Sequence, residues 1–157
     1  VLILEDDLDF VGTIEKDLPP VLTELFADDW SIFYGGYEQY AGPTDTPLLS
    51  LAPSDEGIRT THFLALNRTA IELAVPYLKR MAERPAGDPE GGPMHVDGAY
   101  GWLRQAYPQL RTWLATPELG HQRPSRTDIH ILGWQDQLSV IRGITAFCRR
   151  LKRRKKA

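Results

Sequence analysis

The chain has 157 residues, 42% hydrophobic and 25% charged, which fits a single domain with a real core and excludes wholesale disorder. One cysteine, Cys148, excludes an internal disulfide framework and a cysteine-built metal site. The net charge of -3 hides an acidic body and a basic end, a balance that does not carry the positive face of a nucleic-acid binder.

Taken in chain order, VLILE has the continuous apolar character of a buried parallel strand and runs straight into Glu5, Asp6 and Asp7. Because the chain opens on Val1 inside a core strand, further chain upstream is expected. FVGTIEKDL and PPVLTELFADD read as two helical segments, the second starting at Pro19 and Pro20. WSIFYGG is a second strand ending on Gly35 and Gly36. Residues 37–55 read as a long loop around a short strand, LLSLA. RTTHFLALN is a strand whose Asn67 caps a helix over 68–83, with a bend or restart expected at Pro76.

RPAGDPEGGP is a surface loop, and VDGAYGWLRQAY a helix with Asp97 in its first turn. RTWLA is expected as the last strand, followed by an extended polar segment, TPELGHQRPSRTDIH. Trp134, Leu138, Ile141, Ile144, Cys148 and Leu151 then make an apolar helical stripe. It leads into RRLKRRKKA, whose seven bases face no acid and suit anionic lipid headgroups. No apolar run reaches the length of a membrane-spanning helix. A cytoplasmic location is expected, with peripheral contact at the inner membrane face through the tail. Strands alternating with helices predict an α/β class, with one domain over 1–148 and a basic tail over 149–157.

A strand followed by acids resembles the start of a response-regulator receiver. That family needs an aspartate at the end of its third strand and a lysine at the end of its fifth. Here Ser50 stands at the first place, and no strand-end lysine exists for the second. Acids at a strand end also suit a hard divalent cation, Mn2+ or Mg2+, shared with a diphosphate that fills the remaining positions. On an extended strand end Glu5 and Asp7 would share one side and Asp6 the other.

LILEDD, WSIFYGG, RTTHFLALNRTAIELAVPYL, GPMHVDGAYGWLR and TPELGHQRPSRTDI together resemble family 25 glycosyltransferases, the group of lipopolysaccharide-biosynthesis and collagen galactosyltransferases. Gly98 departs from the acid usual in that family after the aspartate matched by Asp97. The resemblance implies the C-terminal portion of a GT-A-like, Rossmann-like mixed sheet flanked by helices. It implies metal-dependent, inverting transfer of a hexose, such as galactose, from a nucleotide-diphosphate sugar to a saccharide or lipid-linked saccharide. Glu5, Asp6 and Asp7 would hold the cation, and Asp97 would act as general base or acceptor ligand. Gly35, Gly36, His62, His95, Gln122, Arg123, Ser125 and Asp128 are the candidate substrate-binding residues. His121 and Arg126 lie in the same polar stretch as the last four. A receiver-like signalling module and an inactive saccharide-binding relative are the alternatives.

Overall fold

In the computed structural model, residues 1–40 and 48–123 are described. The chain divides into two units, Val1–Gln122 and Arg123–Ala157. The apolar stripe from Trp134, the basic tail and the expected boundary after residue 148 lie outside the described residues.

Among the described residues, seven strands and three helices occur in the order β1 (Leu2–Leu4), β2 (Leu8–Phe10), α1 (Ile14–Ala27), β3 (Ile32–Gly36), β4 (Leu48–Ala52), β5 (Phe63–Leu66), α2 (Arg68–Glu83), α3 (Val96–Ala106), β6 (Thr112–Thr116) and β7 (Gly120–Gln122). Five of the strands form one sheet in the order β1-β5-β3-β6-β4, and β2 pairs with β7 in a separate ribbon. β3 and β6 run parallel, and the other pairings among the described strands are antiparallel. The class is therefore mixed α/β with a mixed sheet flanked by helices.

Alternation along β3 divides the core. Ile32 and Tyr34 face one layer, with Leu64, Leu66 and Leu114 under Ala70 and Ala74 of α2 and Tyr100 and Leu103 of α3. Phe33 faces the other layer, with Phe63, Leu49 and Ala115 against Val21 and Leu25 of α1. Every residue of β3 is buried, as its uninterrupted apolar run and its central position require.

Several local expectations change. VLILE does not form a buried parallel strand: β1 is an antiparallel edge strand, and Leu2 is 58% exposed. An apolar run reads alike at a sheet's centre and at its edge, because only tertiary neighbours distinguish the two. Residues 8–10 are a strand, so the first helix begins at Ile14. That helix then runs through Pro19 and Pro20 without a break. The carbonyls deprived of donors belong to Glu15 and Lys16, exposed residues that water can reach. The same holds at Pro76, where α2 continues instead of restarting and exposed Glu72 carries the released carbonyl. RTWLA is not the last strand, because β7 follows it.

Asn67 caps α2 as expected, its side chain accepting from the Ala70 amide at 2.8 Å. The 85–94 loop closes back on the end of α2. Arg84 donates to the Gly91 carbonyl at 3.2 Å and to the Glu90 carboxylate at 2.8 Å.

Candidate functional site

The acids follow β1 in a tight turn, in which the Leu8 amide donates to the Glu5 carbonyl at 3.1 Å. The acids therefore stand in a turn and not on the extended strand end from which a shared side was expected for Glu5 and Asp7. Glu5 and Asp7 are each taken by a different neighbour. The Thr61 hydroxyl donates to Glu5 Oε1 at 2.8 Å, and the Glu5 amide donates to the His62 carbonyl at 3.0 Å. The Gln122 side-chain amide donates to Asp7 Oδ2 at 2.8 Å. Asp6 is exposed in the turn.

Beneath the turn lies His62, which is 0% exposed. Its Nε2 is 3.3 Å from the Gly120 carbonyl, and its Nδ1 is 2.9 Å from the Thr60 hydroxyl. A carbonyl can only accept, so Nε2 carries the proton and Nδ1 accepts from Thr60. His62 thus clamps β7 to the strand end at β5. Gly36 makes room for it: a Cβ there would sit 2.4 Å from His62 Nε2 and 2.6 Å from the Gly120 oxygen. At Gly35 a Cβ would strike the Phe63 ring at 2.5 Å. The β3–β5 register shifts between Tyr34 and Gly36, a bulge of the kind that re-aims a strand end beside a site. The Leu119 amide reaches back to the Gly35 carbonyl at 2.7 Å.

Thr60 adopts φ 68°, a left-handed conformation that costs a β-branched residue on the order of 1–3 kcal/mol. Strain of this kind gathers at functional sites. Here it aims the Thr60 hydroxyl at His62 and leaves Thr61 directed at Glu5.

The structure therefore brings together Glu5, Asp7, Gly36, His62 and Gln122 from the sequence expectations, with Gly35 buried behind them. Asp97 stands in the first turn of α3, its Oδ1 accepting from the Gly98 amide at 2.8 Å. Its charge also acts on Tyr34. Burial pushes the Tyr34 phenol above its usual range, the Arg104 cation opposes this, and Tyr100 and Asp97 add to the rise. His95 is the exposed N-cap residue of the same helix. Arg123 is exposed; Ser125, Arg126 and Asp128 lie outside the described residues.

Sequence reasoning missed Thr60, Thr61, Gly120 and Arg104. The first three matter only because β5 and β7 meet the acid turn, a contact between distant segments that leaves no local pattern. Arg104 is 0% exposed, and burial lowers its proton affinity. It donates to the carbonyls of Pro53 and Glu56 (2.7 Å to Glu56) and to the Thr112 hydroxyl at 3.2 Å. An arginine on the inner face of α3 is a signal in the helical pattern itself, since Tyr100 and Leu103 flank it on that face.

No group of three or more His, Cys, Asp or Glu side chains that could hold a metal occurs among the described residues. Glu5 and Asp7 accordingly do not make a closed cage. They offer hard oxygen donors, each steadied by a neutral hydrogen-bond donor, which fits a cation whose other positions are filled by phosphate and water. No described helix is long and apolar enough to cross a membrane. Comparison of the chain with family models, curated proteins and solved structures yields no significant match.

Proposed function

We propose that the chain carries the catalytic portion of a GT-A-like glycosyltransferase of the family 25 type, moving a hexose from a nucleotide-diphosphate sugar to a saccharide acceptor. One observation carries this. LILEDD, the glycines of WSIFYGG, RTTHF and ELGHQ are far apart in sequence and converge on the acid turn through direct contacts. They are four of the segments on which the family resemblance rests.

In this reading Glu5 and Asp7 hold Mn2+ or Mg2+, with Asp6 beside them. The bound cation would offset the negative charge that grows on the departing diphosphate. Thr61 and Gln122 fix the two carboxylates, and the buried His62 holds β7 in place so that Gln122 reaches Asp7. Asp97, on the helix layer, orients an acceptor hydroxyl or takes its proton. The basic tail would keep the enzyme at anionic membrane surfaces, each base adding about 1 kcal/mol. Deleting residues 149–157 should then abolish sedimentation with anionic liposomes; unchanged sedimentation would remove the membrane role.

A receiver is disfavoured by topology. The acids follow β1 and Ser50 lies in β4, at opposite edges of the five-stranded sheet. An acid pair and a phosphoacceptor must be neighbours to share one magnesium ion.

The test is turnover of a panel of UDP-, GDP- and CMP-sugars with Mn2+, with oligosaccharide acceptors. Asp7→Asn should abolish measurable transfer, and Gln122→Ala should lower it about 10–100-fold, as loss of a ligand's supporting bond does. Full activity in Asp7→Asn would overturn the assignment. Saccharide binding without any turnover would favour an inactive relative.

A further inference from the structure

We infer that the free edge of β1 is a pairing surface for a second copy of this chain, which adds its own β1 antiparallel across a two-fold axis. β1 ends the five-stranded sheet, and among the described residues no strand pairs with its outer side. Val1 is 70% exposed, Leu2 58%, Ile3 36% and Leu4 45%. Cross-strand partners share a face, so Leu2 and Leu4 lie with Ala65 and Phe63 on the α1 side, and Ile3 lies with Leu64 on the α2 side. Neither helix layer covers the strand. Phe10, also exposed, packs edge-on against Phe63 and widens the strip on the α1 side. The opposite edge is built otherwise, since Leu49, Ser50 and Ala52 of β4 are buried. Residues 1–4 carry none of the charges, prolines or bulges that blunt an exposed edge.

The backbone selects a strand as the occupant. Val1 and Leu66 exchange hydrogen bonds, and the Glu5 amide donates to the His62 carbonyl at 3.0 Å. In an antiparallel ladder the intervening Leu2 and Leu4 therefore turn their N–H and C=O groups away from β5. With Ile3 on the two-fold axis, Leu2 of each copy stands opposite Leu4 of the other. Every outward N–H and C=O of Leu2 and Leu4 is then paired. The leucines form cross-strand pairs on one face, and the two Ile3 side chains meet on the other. Sliding the register two residues towards the acids would instead set Leu2 against Asp6, an apolar side chain against a charge.

Charge fixes the direction. Parallel pairing in register would set Glu5, Asp6 and Asp7 of both copies side by side, and like charges directly opposite destabilise a sheet. The antiparallel arrangement separates the two Glu5 positions by four residues, roughly 13 Å of strand, beyond the screening length of about 8 Å in physiological salt. Each acid turn keeps its contacts to Thr61 and Gln122 of its own copy. The strip is its own complement, being uncharged, apolar on both faces and symmetric about Ile3, which suits a second copy. The contact is isologous and closed, and it joins two five-stranded sheets into one. Because the paired strand is short, the dimer belongs to the weak, concentration-dependent class.

Sedimentation velocity of the full chain over a wide concentration range tests this. The wild type should pass from monomer to dimer as concentration rises, and hydrogen exchange at the Leu2 and Leu4 amides should slow in step. Leu2→Lys, at an exposed side chain, should raise the dissociation constant about 10-fold or more with the thermal melt unchanged. Combining Leu2→Lys with Leu4→Glu should restore the dimer, because antiparallel pairing sets each new base opposite a new acid of the other copy. A double variant that stays monomeric would overturn the antiparallel register. If melts show that Leu2→Lys unfolds, Leu4→Lys and the wild-type amide protection decide. A dimer indifferent to these substitutions would overturn the inference, because its interface lies elsewhere. A wild type monomeric at every concentration would overturn it too. Leu2 and Leu4 amides protected in that monomer would assign the edge to a strand of the same chain, and unprotected ones would leave it to a different protein.

Discussion

Gly36 and Gly12 show how differently one residue type can be held. A Cβ at Gly36 would lie 2.4 Å from the buried His62 ring and 2.6 Å from backbone, and neither neighbour can yield. Gly36→Ala should cost about 3 kcal/mol in urea unfolding, the scale of a forced overpacking. It should also weaken the hold of β7 on the acid turn. At Gly12 nothing lies within 4 Å. Gly12→Ala should therefore be neutral or stabilising by about 0.5 kcal/mol, through a less free unfolded chain. Equal losses at the two positions would mean that the His62–Gly36 contact does not constrain the fold. Gly35 and Gly36 were visible in WSIFYGG, but their purpose was not, because the rings they admit are Phe63 and His62, at and just before the start of β5.

At the scale of elements, α2 is the best specified. Its start was legible because Asn67 precedes a regular apolar spacing, and the side chain makes the expected cap. Tertiary structure adds a second bond, from Asn67 Nδ2 to the Trp30 carbonyl at 2.5 Å, which joins the helix start to the entrance of β3. Asn67→Ala should therefore destabilise the protein by about 2 kcal/mol, one part for the cap and one for the cross-link. Asn67→Asp should recover about half of that, because it keeps the cap oxygen and loses the donor. Chemical denaturation with unchanged m-values would measure both. The proline expectations failed for α1 and α2 for a single reason. Proline breaks a helix when the carbonyl it releases is buried, and in both helices that carbonyl belongs to an exposed residue.

For the molecule as a whole, the tyrosines set an alkaline limit. Burial is the first cause raising Tyr34, Tyr37, Tyr40, Tyr77 and Tyr100 above their ordinary value of 10.0. In the unfolded chain these phenols ionise near that value, whereas the folded chain keeps them protonated to higher pH. Stability is thus fully present below about pH 10 and falls as pH rises beyond it, because the native state then binds more protons than the unfolded one. Arg104 acts in the opposite sense, since burial lowers its proton affinity. Phenolate absorbance and far-ultraviolet circular dichroism should therefore change together in an alkaline titration. Ionisation of all six tyrosines in a fully folded protein would contradict the burial of Tyr34.

The sequence by itself determined the local matters: the α/β alternation, the buried run of β3, the Asn67 cap, the Asp97 helix start and the acids after the first strand. Each is written in neighbouring residues whose spacing obeys the period of a strand or a helix. Tertiary structure decided what depends on meeting: that β1 is an edge strand, that residues 8–10 and 120–122 form a ribbon, and that Thr61 and Gln122 hold Glu5 and Asp7. It also closed His62 inside the protein while leaving His121 at the surface beside Glu118. These are contacts between segments as much as 115 residues apart. They exist only once two hydrophobic layers have been buried on either side of one sheet, which no local pattern can encode.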